Sequence, residues 1–174
     1  MSAARAAMST QAVIDEFFDL FEAVLDNHEL KDKPGQIFNV DETGWTGKIK
    51  STQRFIALTD SSHVIKRKTS VNGHINVQVC VSGSGRFLPT MVVYKGCLPN
   101  TEIEDLPDSW LFAANEPGYV NGDLFHKWFT HIFVPHCGNA RPVLLVMDNH
   151  ESHVTLSTIE EVIKNGMPDI NPPG

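Results

Sequence analysis

Residues 142–153 read "PVLLVMDNHESH", an apolar run that ends on Asp148, Asn149, His150 and His153. A short apolar run with polar residues at its end reads as a strand covered on both faces. A strand that merely turns at the surface has no need of an acid, an amide and two histidines in such close order. A second stretch, "IFNVDETGW" at 37–45, has the same build: apolar first, then Asp41 and Glu42. In an open α/β sheet, ligands bind at the carboxyl ends of central strands. These two stretches therefore decide both the fold class and where its chemistry should lie.

Working outward, residues 1–10 are small and polar and read as a disordered start. Between Thr10 and Asn27 the apolar residues fall at Val13, Ile14, Phe17, Phe18, Leu20, Phe21, Val24 and Leu25, which is helical spacing with Ser9 or Thr10 as cap. "KDKPGQ" at 31–36 breaks that helix ahead of a strand over 37–41. Segments 52–58 and 62–68 read as edge or hairpin strands. "HINVQVCVS" at 74–82 alternates Ile75, Val77, Val79 and Val81 with polar residues. "GSGR" supplies turn chemistry, and 87–96 returns as a strand. Residues 97–120, punctuated by Pro and Gly, read as a surface excursion. Residues 121–137 form an amphipathic helix with Leu124, Phe125, Trp128, Phe129, Ile132 and Phe133 on one stripe, capped by Asn121 or Asp123. After the strand at 142–148, residues 152–166 read as a final helix. There, Ser157 and Glu160 stand at capping-box spacing and Gly166 marks the end. Antiparallel strands followed by α/β crossovers imply a mixed sheet flanked by helices, with 37–41 and 142–148 as central neighbours.

The chain has 174 residues, enough for one domain with a real core, and its 41% hydrophobic and 20% charged content is globular. A net charge of −7 argues against a general positive field for nucleic acid, although Lys48, Lys50, Arg54, Lys66, Arg67 and Lys68 form a basic strip broken only by Asp60. By itself such a strip also reads as a solvated loop face. Cys80, Cys97 and Cys137 have no paired spacing, and the acidic amphipathic start is no signal peptide, so a reducing intracellular compartment is expected. Zinc-finger spacing is absent from the His and Cys residues, and no apolar stretch is long enough to span a membrane.

Two carboxylates brought to adjacent strand ends either repel, so that one protonates, or share a divalent cation. An all-oxygen site favours Mg²⁺ or Mn²⁺, which accept phosphate oxygens as further ligands. The plainer alternative is that Asp41 and Asp148 each cap the turn that follows. Glu42, next in line to Asp41, points to the opposite face of the strand and takes a structural or turn role.

The stretches "IFNVDETGW", "VNGHINVQVCVSGSGRFLPTMVVYKG", "NGDLFHKWFTHIFVPH" and "RPVLLVMDNHESH" resemble, in order and spacing, the DDE endonuclease domain of pogo/Tigger-type transposases. The same domain occurs in the transposon-derived jerky-like and centromere-protein-B-like proteins. "DEFFDLFEAVLDNHEL" looks like the helix ahead of the first catalytic strand, and the resemblance runs from about residue 14 to 166. It implies an α/β, ribonuclease-H-like mixed sheet and metal-dependent cleavage and joining of DNA in the nucleus. Asp41 matches the first acid and Asp148 the second, both as Mg²⁺ or Mn²⁺ ligands. His153 matches a recurrent position that orients the site, or else it caps the helix at Ser152.

The family's third acid lies further along, after a pair of prolines that "DINPPG" reaches as the chain stops. Glu160, Glu161 and Asp169 come too early to match it. The expectation is therefore a partial domain over 11–174, incomplete at the C-terminus, with weak metal binding and little or no catalysis. No helix-turn-helix reader precedes it, so DNA contact would rest on the basic strip and on phosphates. An unfinished sheet face would favour self-association. The alternative is a domesticated nucleic-acid-binding or protein-interaction module without catalysis.

Overall fold

The computed structural model describes residues 10–45, 74–99, 106–148, 150 and 152–167. The first helix, α1 (Gln11–Asn27), starts where Thr10 Oγ1 accepts from the Val13 amide at 3.4 Å. After a 3₁₀ turn at Pro34–Gln36 come β1 (Ile37–Trp45), β2 (Ile75–Ser82), β3 (Met91–Lys95) and β4 (Leu111–Asn115). Next are α2 (Gly122–Trp128), a π-helical turn (Phe129–Phe133) and α3 (Val134–His136). Strand β5 (Leu144–Val146) and helix α4 (Leu156–Lys164) complete the order.

The five strands run β4-β3-β2-β1-β5. Pairing is parallel for β1 with β5 and β3 with β4, and antiparallel for β2 with β3. The sheet is thus mixed, as expected. β5 does lie beside β1, but at the end of the described order, and β2 takes the centre.

The chain divides into two compact units, the first holding the segments up to Asp41, Cys80–Leu88 and from Asn121 onward. Its core is aromatic. Phe38 of β1 meets Phe133 edge-to-face at 5.4 Å, and Phe133 also lies 5.3 Å from Phe129 and 5.7 Å from Trp128. Each such pair contributes about 0.5–1.5 kcal/mol beyond its buried area. The π-helical turn has a local cause. Pro135 has no N–H to return to the preceding turn, and three side chains add bonds to carbonyls along the same stretch. Thr130 Oγ1 donates to His126 O at 3.0 Å, His131 Nδ1 to Lys127 O at 2.9 Å, and His136 Nδ1 to Ile132 O at 2.7 Å. Phe129, Ile132 and Phe133 stay buried together through the widened turn.

The second unit comprises Glu42–Val79 and Pro89–Val120. Here the excursion read over 97–120 is corrected, because it contains β4, which pairs with β3 from Met91↔Leu111 to Lys95↔Asn115. "LFAAN" has no alternation to announce a strand, and its partner β3 lies further back in the chain. β2 holds a second surprise. Its buried side carries Asn76, Gln78, Cys80 and Ser82, while Ile75, Val77, Val79 and Val81 are only half-buried. A strand with neighbours on both sides can be covered on either face, and alternation does not say which is covered more deeply. The strands read at 52–58 and 62–68, and the disordered start read at 1–9, lie outside the described residues.

Candidate active site

β1 and β5 are parallel, in the register Ile37↔Leu144, Phe38↔Leu145, Asn39↔Val146. Asp41 follows Asn39 by two residues within β1, and Asp148 follows Val146 by two residues, just past the end of β5. Adjacent parallel strands run about 4.8 Å apart. Both aspartates are exposed and both belong to the first unit. The junction beneath them is tied by side chains. Asn39 Nδ2 donates to Val146 O at 3.2 Å, and Gln36 Nε2 donates to Pro142 O at 2.6 Å. Asn39 was not singled out from the sequence. The signal was there, a lone amide inside an apolar run.

Asp148 is held from its own loop. Its Oδ1 lies 2.8 Å from His153 Nδ1 and accepts from the His150 amide at 3.3 Å. His153 is buried, 6% exposed, and its ring lies 4.5 Å from that of Phe125 on α2. Its Nδ1 also faces the Asp148 carbonyl at 3.3 Å, so that nitrogen carries the proton and donates toward both oxygens. His150 Nδ1 pairs with Ser152 Oγ at 2.8 Å. The turn-capping alternative thus describes part of what Asp148 does, through the His150 amide, while the His153 contact goes beyond a turn.

The helix-capping alternative for His153 is set aside. α4 begins later than read, at Leu156, and its cap is Thr155, whose Oγ1 accepts from the Thr158 amide at 3.3 Å. Ser157 lies inside the first turn, so Ser157 and Glu160 form no capping box. The helix starts late because Ser152 and His153 are held in the loop instead, by His150 Nδ1 and by Asp148 Oδ1, each at 2.8 Å. Glu42 takes the structural role expected of it: its Oε2 accepts from Asn76 Nδ2 at 2.9 Å. Lys48, Lys50, Arg54, Lys66, Arg67 and Lys68 all lie outside the described residues. Among the described residues, no group of three or more His, Cys, Asp or Glu is placed to hold a metal ion.

Comparison with known proteins gives this geometry its context. The DDE superfamily endonuclease family matches residues 73–169. The human protein called pogo transposable element with ZNF domain is 33% identical over 89 residues, covering 51% of this chain and 6% of that protein. A Cochliobolus lunatus protein named MFS-type transporter clz9 is 28% identical over 139 residues, 75% of this chain and 15% of that protein. The chain therefore spans only a small part of either relative. Among the described residues, no helix is long and apolar enough to cross a membrane. No solved structure matches significantly. The chain belongs to the DDE superfamily endonucleases, of pogo type, and its mixed sheet with flanking helices is consistent with their ribonuclease-H-like α/β fold.

Proposed function

We propose that this DDE-family domain carries the two-aspartate part of a nuclease centre, in which Asp41 and Asp148 hold Mg²⁺ or Mn²⁺ against a DNA phosphate. The supporting observation is the parallel β1–β5 pairing up to Asn39↔Val146, with an aspartate two residues beyond each of these partners on the carboxyl side. The donor set fits a hard cation, being two exposed carboxylates of oxygen only. Such an ion, when bound, stabilises charge on the attacking and leaving oxygens of an in-line displacement. The protein's own share is orientation. His153, wedged against Phe125, donates to Asp148 Oδ1 and so fixes the rotamer of that carboxylate, the usual task of a hydrogen-bonding neighbour to a metal ligand.

Two carboxylates leave most coordination positions to water and phosphate, so cation binding is weak and depends on nucleic acid. In this reading the DNA contact is phosphate-mediated and low in specificity, through Lys48, Lys50, Arg54, Lys66, Arg67 and Lys68, and the protein works in the nucleus. A second reading is DNA binding without cleavage, through the same basic residues.

Incubation of supercoiled plasmid with the chain and Mn²⁺, beside Asp41→Ala and Asp148→Ala, tests the first reading. Nicking lost in both variants supports it, and nicking that survives Asp148→Ala overturns the metal assignment. Duplex titration at about 50 mM salt, where phosphate contacts are strong, tests the second. Binding without nicking, weakened by neutralising Lys66, Arg67 and Lys68, selects it.

A further inference from the structure

Helix α1 is amphipathic, yet none of its residues is buried. On one side lie Val13, Ile14, Phe17, Phe18 and Leu20, with Phe17 50% and Phe18 59% exposed. Phe17 stacks on Phe21 at 6.0 Å and meets Phe18 edge-on at 5.4 Å, so the rings form one continuous apolar stripe. An apolar stripe of this kind on a surface helix marks an interaction site more often than chance exposure.

Its charge says what can cover it. The helix carries Asp15, Glu16, Asp19, Glu22 and Asp26 and not one Lys or Arg. Glu22 and Asp26 are already paired with Lys31, at 2.9 and 2.8 Å. Asp15 borders the stripe beside Phe18 and Glu16 beside Leu20, at helical neighbour spacings, with Asp19 on the acidic face between them. An anionic membrane or a DNA backbone would be repelled by that rim. A second copy laid face to face would oppose like charge to like charge.

We propose that the apolar stripe of α1 is a docking site for a basic amphipathic helix of a partner protein. The partner's apolar side covers Phe17, Phe18 and Leu20 at an interaxial distance of about 8–10 Å. Its Lys or Arg flanks meet Asp15, Glu16 and Asp19. The surface shares no residue with the Asp41–Asp148 pair, so the proposal stands or falls apart from the nuclease reading.

The test uses the full chain and a fluorescein-labelled peptide of Leu and Lys with Leu at helical period, read by anisotropy. Comparators are a scrambled Leu/Lys peptide of the same composition and a version with Glu in place of Lys. Binding of the amphipathic basic peptide only is expected. It should weaken about tenfold in Phe17→Ser with Phe18→Ser, as for loss of central apolar anchors. It should weaken about threefold in the combined Asp15→Asn, Glu16→Gln and Asp19→Asn variant, the size of a rim-charge effect. The last variant leaves every apolar contact in place, so misfolding cannot account for its result. Equal binding by all three proteins overturns the proposal, as does equal binding of the scrambled peptide. A wild-type dimer in sedimentation that Phe17→Ser with Phe18→Ser turns to monomer also overturns it, because the occupant is then a second copy.

Discussion

His153 offers the sharpest separation of fold from function. It makes two kinds of contact: a ring contact with Phe125 at 4.5 Å and the Nδ1 contact with Asp148 Oδ1 at 2.8 Å. His153→Phe keeps the ring and removes the donor, whereas His153→Ala removes both. The hydrogen bond to a charged acceptor is nominally about 1.5–3 kcal/mol. Asp148 is 66% exposed, however, so water replaces much of what is lost and about 1 kcal/mol or less is expected. Truncation to Ala adds the lost ring contact and a buried cavity, about 2–4 kcal/mol in all. In urea denaturation, then, the Phe variant stays close to the parent and the Ala variant falls well below it. Mn²⁺ affinity, counted from the free-ion electron paramagnetic resonance signal with duplex present, should behave differently. Both variants lose about 10- to 100-fold, because either one frees the Asp148 carboxylate to rotate. A Phe variant that binds Mn²⁺ as the parent does refutes the positioning argument, whatever its stability.

Four other outcomes follow from other parts of the fold. Cys97 is exposed while burial raises the Cys137 thiol and, with Cys137 nearby, pushes Cys80 from 9.0 up to about 12. Iodoacetamide at pH 8 should therefore alkylate Cys97 and spare the other two, as mass mapping would show. A raised thiol pKa favours the protonated fold. Its stabilising share is complete below pH 9 and is lost as pH climbs towards 12, which alkaline unfolding curves check. Thr155→Ala should cost about 1 kcal/mol as a lost helix cap, and Ser157→Ala close to nothing by the same urea assay. Gly118→Ala should destabilise by about 1–3 kcal/mol, because φ is +77° and a Cβ would stand 2.8 Å from Lys95 Cβ. Gly85→Ala, with φ +86° but open space around it, should cost about 1 kcal/mol.

Much of the architecture was legible because it rests on local periodicity. The stripe Phe125, Trp128, Phe129, Ile132, Phe133 announces its own burial, and "NVQVCV" and "PVLLV" announce strands. The acids at Asp41 and Asp148 were legible as a pair worth testing, since each closes an apolar run. What the chain could not disclose locally was anything set by a distant partner. β4 forms because β3 offers it a parallel edge, and nothing within "LFAAN" records that. His153 leaves the helix it was read into because Asp148 and Phe125 claim its two sides, and Thr155 then caps α4. The pairing of β1 with β5, each followed toward its carboxyl end by one of the two aspartates, is fixed jointly by backbone bonds and by Asn39 and Gln36 reaching across. Composition and spacing thus determined the kinds of element and the residues able to do chemistry. Tertiary structure decided which faces are buried and which residues stand side by side, because burial and hydrogen-bond satisfaction are properties of pairs brought together from far apart in the chain.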